Sequence, residues 1–245
     1  MPEKPRRVVL KISGESFAPP GSLGIGPTEL QHIASEIVSA TESGVQIAVV
    51  VGGGNIIRGA ALAKSGSIDQ STADYMGMLG TVINGVALKE AIQRTGMQAR
   101  TMSAINLPAV AEPFIKARAN RHLEKNRVVI LVAGTGNPFF TTDTCASLRA
   151  IELGADVLLK ATKVDGIYSA DPMKNPDAVR FEHLSFGEVI EKQLGVMDMT
   201  ALTMCMEHNL PVQVFDYITP SNIRRVVAGE QIGTIVDSGS VAATT

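Results

Sequence analysis

Four short segments combine glycine with lysine, threonine and small polar residues, as anion-handling loops do. They are Lys11-Ile12-Ser13-Gly14-Glu15, Gly52-Gly53-Gly54-Asn55, Gly134-Thr135-Gly136-Asn137-Pro138 and Thr162-Lys163-Val164-Asp165-Gly166. Each follows a β-branched run and so leaves a strand end. Glycine lets backbone N–H groups come close to a phosphate, and a following helix N-terminus adds positive potential. One such loop is a weak signal. Four at one edge of one sheet point to phosphate chemistry, because ligands of open parallel sheets bind beyond the C-terminal strand ends. Neither common nucleotide fingerprint is present. There is no G-x-x-x-x-G-K-[ST], and Gly21, Gly24 and Gly26 approach G-x-G-x-x-G without a strand before them.

The side chains around these loops admit two readings each. Lys11 is a solvated lysine at a strand end, or a cation that bridges phosphates; Lys160, with Lys163 just beyond, stands in the same situation. Gly52-Gly53-Gly54 exceeds what a tight turn needs and suggests backbone approach to a phosphate. Arg58, expected within the first turns of the next helix, is a surface arginine or a planar fork for the same anion. The densest polar run covers 135–143. Thr141 or Thr142 reads as a helix N-cap, and Asp143 as a first-turn residue favoured by the helix dipole or as a carboxylate that orients lysines or a metal. Phe139-Phe140 reads more readily as core than as a ligand platform. Asp74, early in a long helix near the Gly52–Gly54 edge, is a surface aspartate or an acceptor for sugar hydroxyls. Asp165, Asp171 and Asp198 are turn or N-cap residues.

Other chemistries find little support. His32, His122, His183 and His208 are scattered, and Cys205 with His208 three residues on makes only half a zinc site. No Ser–His–Asp or Cys–His arrangement stands out, and phosphoryl transfer demands no dedicated base.

The elements that must position these residues alternate. Strands are predicted over 7–12, 46–51, 98–102, 128–133, 157–161 and 212–215, several apolar on both faces. A helix should start at Thr28, with Thr28 and Gln31 as a capping-box pair. Another should span 71–94 with Met76, Leu79, Ile83 and Val86 on one face. Further helices are expected over 111–124, 142–153, 185–193, 199–208 and 221–227. This alternation predicts an α/β fold with a mostly parallel sheet. With 245 residues and no linker-like tract, one domain spanning 1–245 is expected, with an ordered core over 6–236 and a frayed tail over 238–245.

Composition narrows the partners. The 45% hydrophobic content excludes disorder, and the net charge of -2 argues against a general nucleic-acid binder. Lys4, Arg6 and Arg7 read as a solvated tail. Two cysteines form no disulfide framework, which suits a reducing, cytoplasmic compartment. Apolar runs near five residues, with no signal-peptide pattern, give no reason to expect a membrane partner.

The five motifs at 11–15, 52–59, 74–78, 134–143 and 160–166 resemble the bacterial uridylate kinases of the amino-acid kinase superfamily. The resemblance runs from about Arg6 to Val236, and the 134–143 motif is its most specific part. It implies a three-layer αβα sandwich that catalyses ATP + UMP → ADP + UDP in pyrimidine nucleotide synthesis. It also implies Mg²⁺ carried mainly by the ATP phosphates, with no dedicated protein metal site. By motif match, Lys11, Ile12, Ser13, Gly14, Gly54, Arg58, Thr162, Tyr168 and Asp171 would hold ATP. Gly53, Asp74, Thr135, Gly136, Asn137, Pro138, Phe139, Phe140, Thr141 and Thr142 would hold UMP. Asp143 would organise the transfer site, and Lys11 and Arg58 would neutralise the migrating group, with Lys160 a further candidate. The family is homohexameric, with members activated by GTP and inhibited by UTP. Residues 17–26 depart from the glycine-rich pattern expected near the regulatory region, two prolines stiffen them, and no Trp is present.

Overall fold

The computed structural model describes residues 6–64, 66–172, 174–175 and 177–239; the predicted tail therefore falls largely outside the described residues. Of its first two residues, Ser238 Oγ donates to Asn209 Oδ1 at 2.7 Å and Gly239 N to Asp237 Oδ1 at 2.9 Å.

In chain order the elements are β1 (Arg7–Ile12), α1 (Pro27–Thr41), β2 (Gln46–Val51), α2 (Gly59–Lys64), α3 (Gln70–Gln93), β3 (Ala99–Ser103), β4 (Glu112–Pro113), α4 (Lys116–Glu124), β5 (Val128–Val132), α5 (Thr142–Leu153), β6 (Val157–Thr162), β7 (Ile167–Tyr168), β8 (Arg180–Phe181), β9 (His183–Ser185), α6 (Phe186–Glu191), α7 (Met199–Glu207), β10 (Val212–Asp216), α8 (Asn222–Val227) and β11 (Thr234–Asp237). Nine strands form one sheet in the order β4-β3-β5-β2-β1-β6-β10-β11-β9. Every pairing is parallel except β10 with β11, while β7 and β8 form a separate antiparallel pair.

The side-chain period of two along each strand feeds two cores. Val8, Leu10 and Ile12 of β1 pack with Ile33 and Ile37 of α1, Leu88 and Ile92 of α3 and Ile223 of α8. Val9 faces the opposite layer, with Leu123 of α4, Ala146 and Ala150 of α5, Val189 of α6 and Leu202 of α7. This is the three-layer αβα arrangement. The same parity turns Lys11 and Lys160, opposite each other in the β1–β6 register, toward the α5 layer at the C-terminal strand ends.

Several local expectations are corrected. Helix α1 begins at Pro27 behind Gly26, with no side-chain cap bond, so the Thr28–Gln31 capping box does not form; proline pre-set for the first helical position shifts the start. Residues 111–115 are not helical, because the segment carrying Pro113 pairs with β3 as an edge strand. Arg7 is no tail residue: its guanidinium donates to Gln46 at 2.8 Å, to Asn120 at 3.1 Å and to the Leu153 carbonyl. The largest correction concerns α3. Leu79 and Ile83 are 48% and 49% exposed, and the buried face instead mixes the small or polar Ala73, Gly80, Thr81, Asn84 and Gly85 with the apolar Met78, Val82, Leu88 and Ile92. A Cβ on Gly85 would sit 2.2 Å from Val132 Cγ1. Helix α3 therefore passes so close to β5 at residue 85 that only glycine fits there. Leu79 and Ile83 are left outside, while Val86 still packs against the core.

Candidate functional site

Asp143 stands in the first turn of α5, directly above the ends of β1 and β6. Its Oδ1 lies 2.8 Å from Lys11 Nζ and its Oδ2 2.7 Å from Lys160 Nζ. The Lys11 contact is an ion pair without hydrogen-bond alignment, and Asp143 Oδ1 is otherwise buried without a donor. Lys160 Nζ also donates to the Val196 carbonyl. The three side chains are only 11–16% exposed. Burial pushes the Asp143 carboxyl up, but the Lys11 and Lys160 ammonium groups outweigh it and hold the carboxyl below its ordinary range. Burial lowers Lys160, with Asp143 opposing the shift. The helix start is fixed by Thr141, whose Oγ1 accepts from Asp143 N at 3.0 Å and Thr144 N at 3.1 Å. Of the two threonines weighed as caps, Thr141 fills the role.

The glycine loops meet one another before they meet any ligand. A Cβ on Gly52 would lie 2.5 Å from Gly14 N, and one on Gly53 2.6 Å from the Gly77 carbonyl. Those glycines allow the 13–14 and 52–53 backbones and α3 to touch. Gly54 differs, since an added Cβ there meets nothing within 4 Å. Its bareness leaves room for something outside the protein. Beneath this contact Asn55 and Asn84 pair their amides, with Asn84 Nδ2 2.6 Å from Asn55 Oδ1 and 2.8 Å from the Gly52 carbonyl. Asn55 closes the glycine motif at 52–55, but Asn84 was not singled out from sequence; its signal was a lone amide inside the apolar run of α3. Of the near-fingerprint glycines, Gly24 serves the same loop: its N–H donates to the Asn55 carbonyl at 2.7 Å.

A cleft of about 330 Å³ opens beside these loops, lined by Gly53, Gly54, Asp74, Thr135, Asn137 and Phe140 among others. Asp74 faces it as expected, yet both its oxygens are engaged: Phe139 N donates to Oδ2 at 2.7 Å and Gln70 Nε2 to Oδ1 at 2.8 Å. The Phe pair is not core. Phe139 and Phe140 are 73% and 51% exposed, and Phe139 is held at φ 71, a costly left-handed conformation for a bulky residue. Thr141 and Thr142 line the cleft, whereas Gly136, Pro138 and Phe139 shape the loop without lining it.

A second cleft of about 540 Å³ is lined by Lys160, Thr162, Tyr168, Asp171 and the 192–196 loop. Tyr168 OH donates to Asp165 Oδ1 at 2.7 Å, and that carboxylate raises the phenol's pKa. Because Lys160 lines this cleft and Thr142 lines the other, the Lys11–Asp143–Lys160 group lies between them. Arg58 and Lys163 stand at the rim, each 3.7 Å from a different oxygen of Glu15. Arg58 directly precedes α2 and is not within it. Ser13 and Gly14 line the smaller cleft, while the Ile12 side chain is sealed in the core and its carbonyl accepts from Gly52 N at 2.9 Å.

Among the described residues, no group of three or more His, Cys, Asp or Glu converges as a metal cage would. No helix among them is long and apolar enough to cross a membrane.

Comparisons with known proteins agree with this architecture. The model of the Amino acid kinase family matches residues 6–216. A UMP kinase from Bacillus anthracis superposes with a TM-score of 0.93 at 38% identity, over 97% of this chain and 98% of that one. A UMP kinase from Ureaplasma parvum gives 0.88 at 37% identity, over 97% and 100%. A uridylate kinase from Archaeoglobus fulgidus gives 0.71 at 29% identity, over 94% and 99%.

Proposed function

The chain belongs to the amino acid kinase family, and from that premise we propose that it transfers the γ-phosphoryl group of ATP to UMP, giving ADP and UDP. The observation that carries this reading is the pair of largely buried ammonium groups on adjacent strands, held by one carboxylate at the junction of two clefts. UMP occupies the smaller cleft, against Gly53, Asp74, Thr135, Asn137, Phe140, Thr141 and Thr142. ATP occupies the larger, with Thr162, Tyr168 and Asp171 around the nucleoside; its phosphates reach toward the smaller cleft, where Ser13, Gly14 and Gly54 offer backbone N–H groups. Ile12 contributes only backbone, and Gly136, Pro138 and Phe139 hold the acceptor loop in shape.

The acceptor oxygen needs no base, since a phosphomonoester has its second pKa near about 6 and is largely a dianion at neutral pH. As the bond to the β-phosphate oxygen breaks and the bond to the UMP phosphate oxygen forms, charge spreads over the migrating group. Lys11 and Lys160 are fixed where that charge passes, with Arg58 supplying a mobile third cation. Asp143 keeps the two ammonium groups close and charged. Mg²⁺ would be carried by the nucleotide phosphates, because the carboxylate between the two lysines is already clasped by both; it would supply further charge neutralisation there.

A homohexamer is part of the proposal, supported by the exposed Tyr75, Leu79 and Ile83 on α3. So are UTP inhibition, GTP activation and a place in pyrimidine nucleotide synthesis. The free buried thiols of Cys145 and Cys205 support a reducing, cytoplasmic compartment. The test is an ADP-release assay with UMP, CMP, dUMP, acetylglutamate and aspartate as acceptors. UMP should turn over best; turnover with an amino acid and none with UMP rejects the reading.

A further inference from the structure

We propose that Asp198 is a positioning residue for phosphoryl transfer, holding Asp143 and Lys160 in place through the start of α5 and the 196–198 segment; this rests on the reading above. Asp198 is the N-cap of α7, where its Oδ1 accepts from Ala201 N at 3.0 Å. A cap needs no more than that. The same oxygen also accepts from Thr144 Oγ1 at 2.9 Å, and Oδ2 accepts from Thr141 Oγ1. Both threonines belong to the start of α5, so the carboxylate ties the beginnings of two helices together.

The consequence follows from hydrogen-bond arithmetic. A hydroxyl has one proton and two lone pairs. A carboxylate can only accept, so the Thr141 proton must point at Asp198. Both lone pairs then face Asp143 N and Thr144 N, as their 3.0 and 3.1 Å distances require. Asp198 thereby fixes the backbone from which the Asp143 side chain reaches the lysines. Two residues upstream, the Val196 carbonyl accepts from Lys160 Nζ. An ammonium has three donors. Asp143 and Val196 take two, leaving one direction for a phosphate oxygen. The 196–198 segment thus restrains both partners of the Asp143–Lys160 pair, and it also forms part of the wall of the larger cleft through Val196.

A purely structural role for Asp198 is separable, because Asn and Ser cap helices about as well as Asp. Neither carries the charge that orients Thr141. The α5–α7 contact also has other support, with Ser147 Oγ donating to the Ala201 carbonyl at 3.1 Å and Cys205 Sγ to Ser147 Oγ at 3.2 Å. Asp198→Asn and Asp198→Ser should each lower kcat about 10- to 100-fold, the scale of a small misplacement of catalytic groups. The KM values for UMP and ATP and the urea midpoint should stay near those of the unaltered protein. Unchanged kcat, or a KM rise at constant kcat, overturns the proposal. A double-mutant cycle with Asp143→Asn guards against a folding effect. Asp198→Asn should cost far less in that background, and full additivity also overturns the proposal. Absence of UMP turnover by the unaltered protein would instead reject the proposed function, and the same variants would be compared with whichever acceptor of the panel is used.

Discussion

Two sets of cations border the same pair of clefts and are held in opposite ways. Lys11 and Lys160 are 11–12% exposed and sit 2.7–2.8 Å from one largely buried carboxylate. Arg58 and Lys163 are 61% and 42% exposed and stand 3.7 Å from the half-exposed Glu15. The first set is restrained by strand register, a helix cap and a carbonyl. The second is restrained by little beyond screened attraction, which for exposed pairs contributes about 0–1 kcal/mol. Charges that must meet a transition state without reorganising belong in the first set, and charges that must follow an entering nucleotide belong in the second. The inner group should therefore govern kcat and the rim should govern KM.

The strongest challenge to that division is to remove an inner charge. Lys11→Ala and Asp143→Asn should each lower kcat by about 10²–10³, with the fold intact by circular dichroism. Rates near normal in both would remove the distinction. Arg58→Ala should act on the other parameter, raising KM for the nucleotides about 10-fold, the effect of one charge-assisted contact, with a smaller change in kcat. A kcat loss as large as that of Lys11→Ala would move Arg58 into the inner group.

The glycine loops offer a parallel test of backbone packing against ligand approach. Gly53→Ala drives a methyl to within 2.6 Å of the Gly77 carbonyl, so it should destabilise the fold by about 1–3 kcal/mol in urea titrations. Gly54→Ala has nothing within 4 Å to strike. It should leave the urea midpoint unchanged and weaken nucleotide binding. Equal loss of stability in both would mean that Gly54, too, serves only the packing of the loops.

The parts of this molecule that sequence reading recovered are those written in local patterns. The bounds of α5 follow from Thr141 ahead of an apolar period, and the strands at 46–51 and 128–132 from β-branched runs that lead into glycine. Lys11, Lys160 and Asp143 were legible as candidates because each stands where a strand ends or a helix begins. What was not legible depends on segments far apart in the chain. The buried face of α3 is set by how closely β5 approaches Gly85, not by the hydrophobicity of Leu79 and Ile83. Phe139 is exposed because Asp74, 65 residues away in sequence, holds its N–H. Asp198 reads as an ordinary cap until Thr141 and Thr144 are seen against it. The two-residue strands β4, β7 and β8 are too short to show any period.

The least disruptive test compares two carboxylates at helix starts. Asp143 is held below its ordinary range by cations acting against burial, whereas Asp69 is fully exposed and is lowered to about 2 by the Ser71 hydroxyl first, then by Thr72. Both folded pKa values lie below the unfolded value of about 3.9. Each group's stabilising effect is therefore complete above that value and is lost as pH falls through the folded one. For Asp69 the window runs from about 3.9 down to about 2. A carboxyl NMR titration should give Asp69 a midpoint near 2, little moved by added salt because its partners are neutral hydroxyl and amide donors. The Asp143 midpoint should rise in Lys11→Ala, where one of its two cations is gone. A salt-insensitive Asp69 beside an Asp143 that follows the lysines supports the division between neutral and charged restraint; an Asp143 midpoint indifferent to Lys11 would dissolve it.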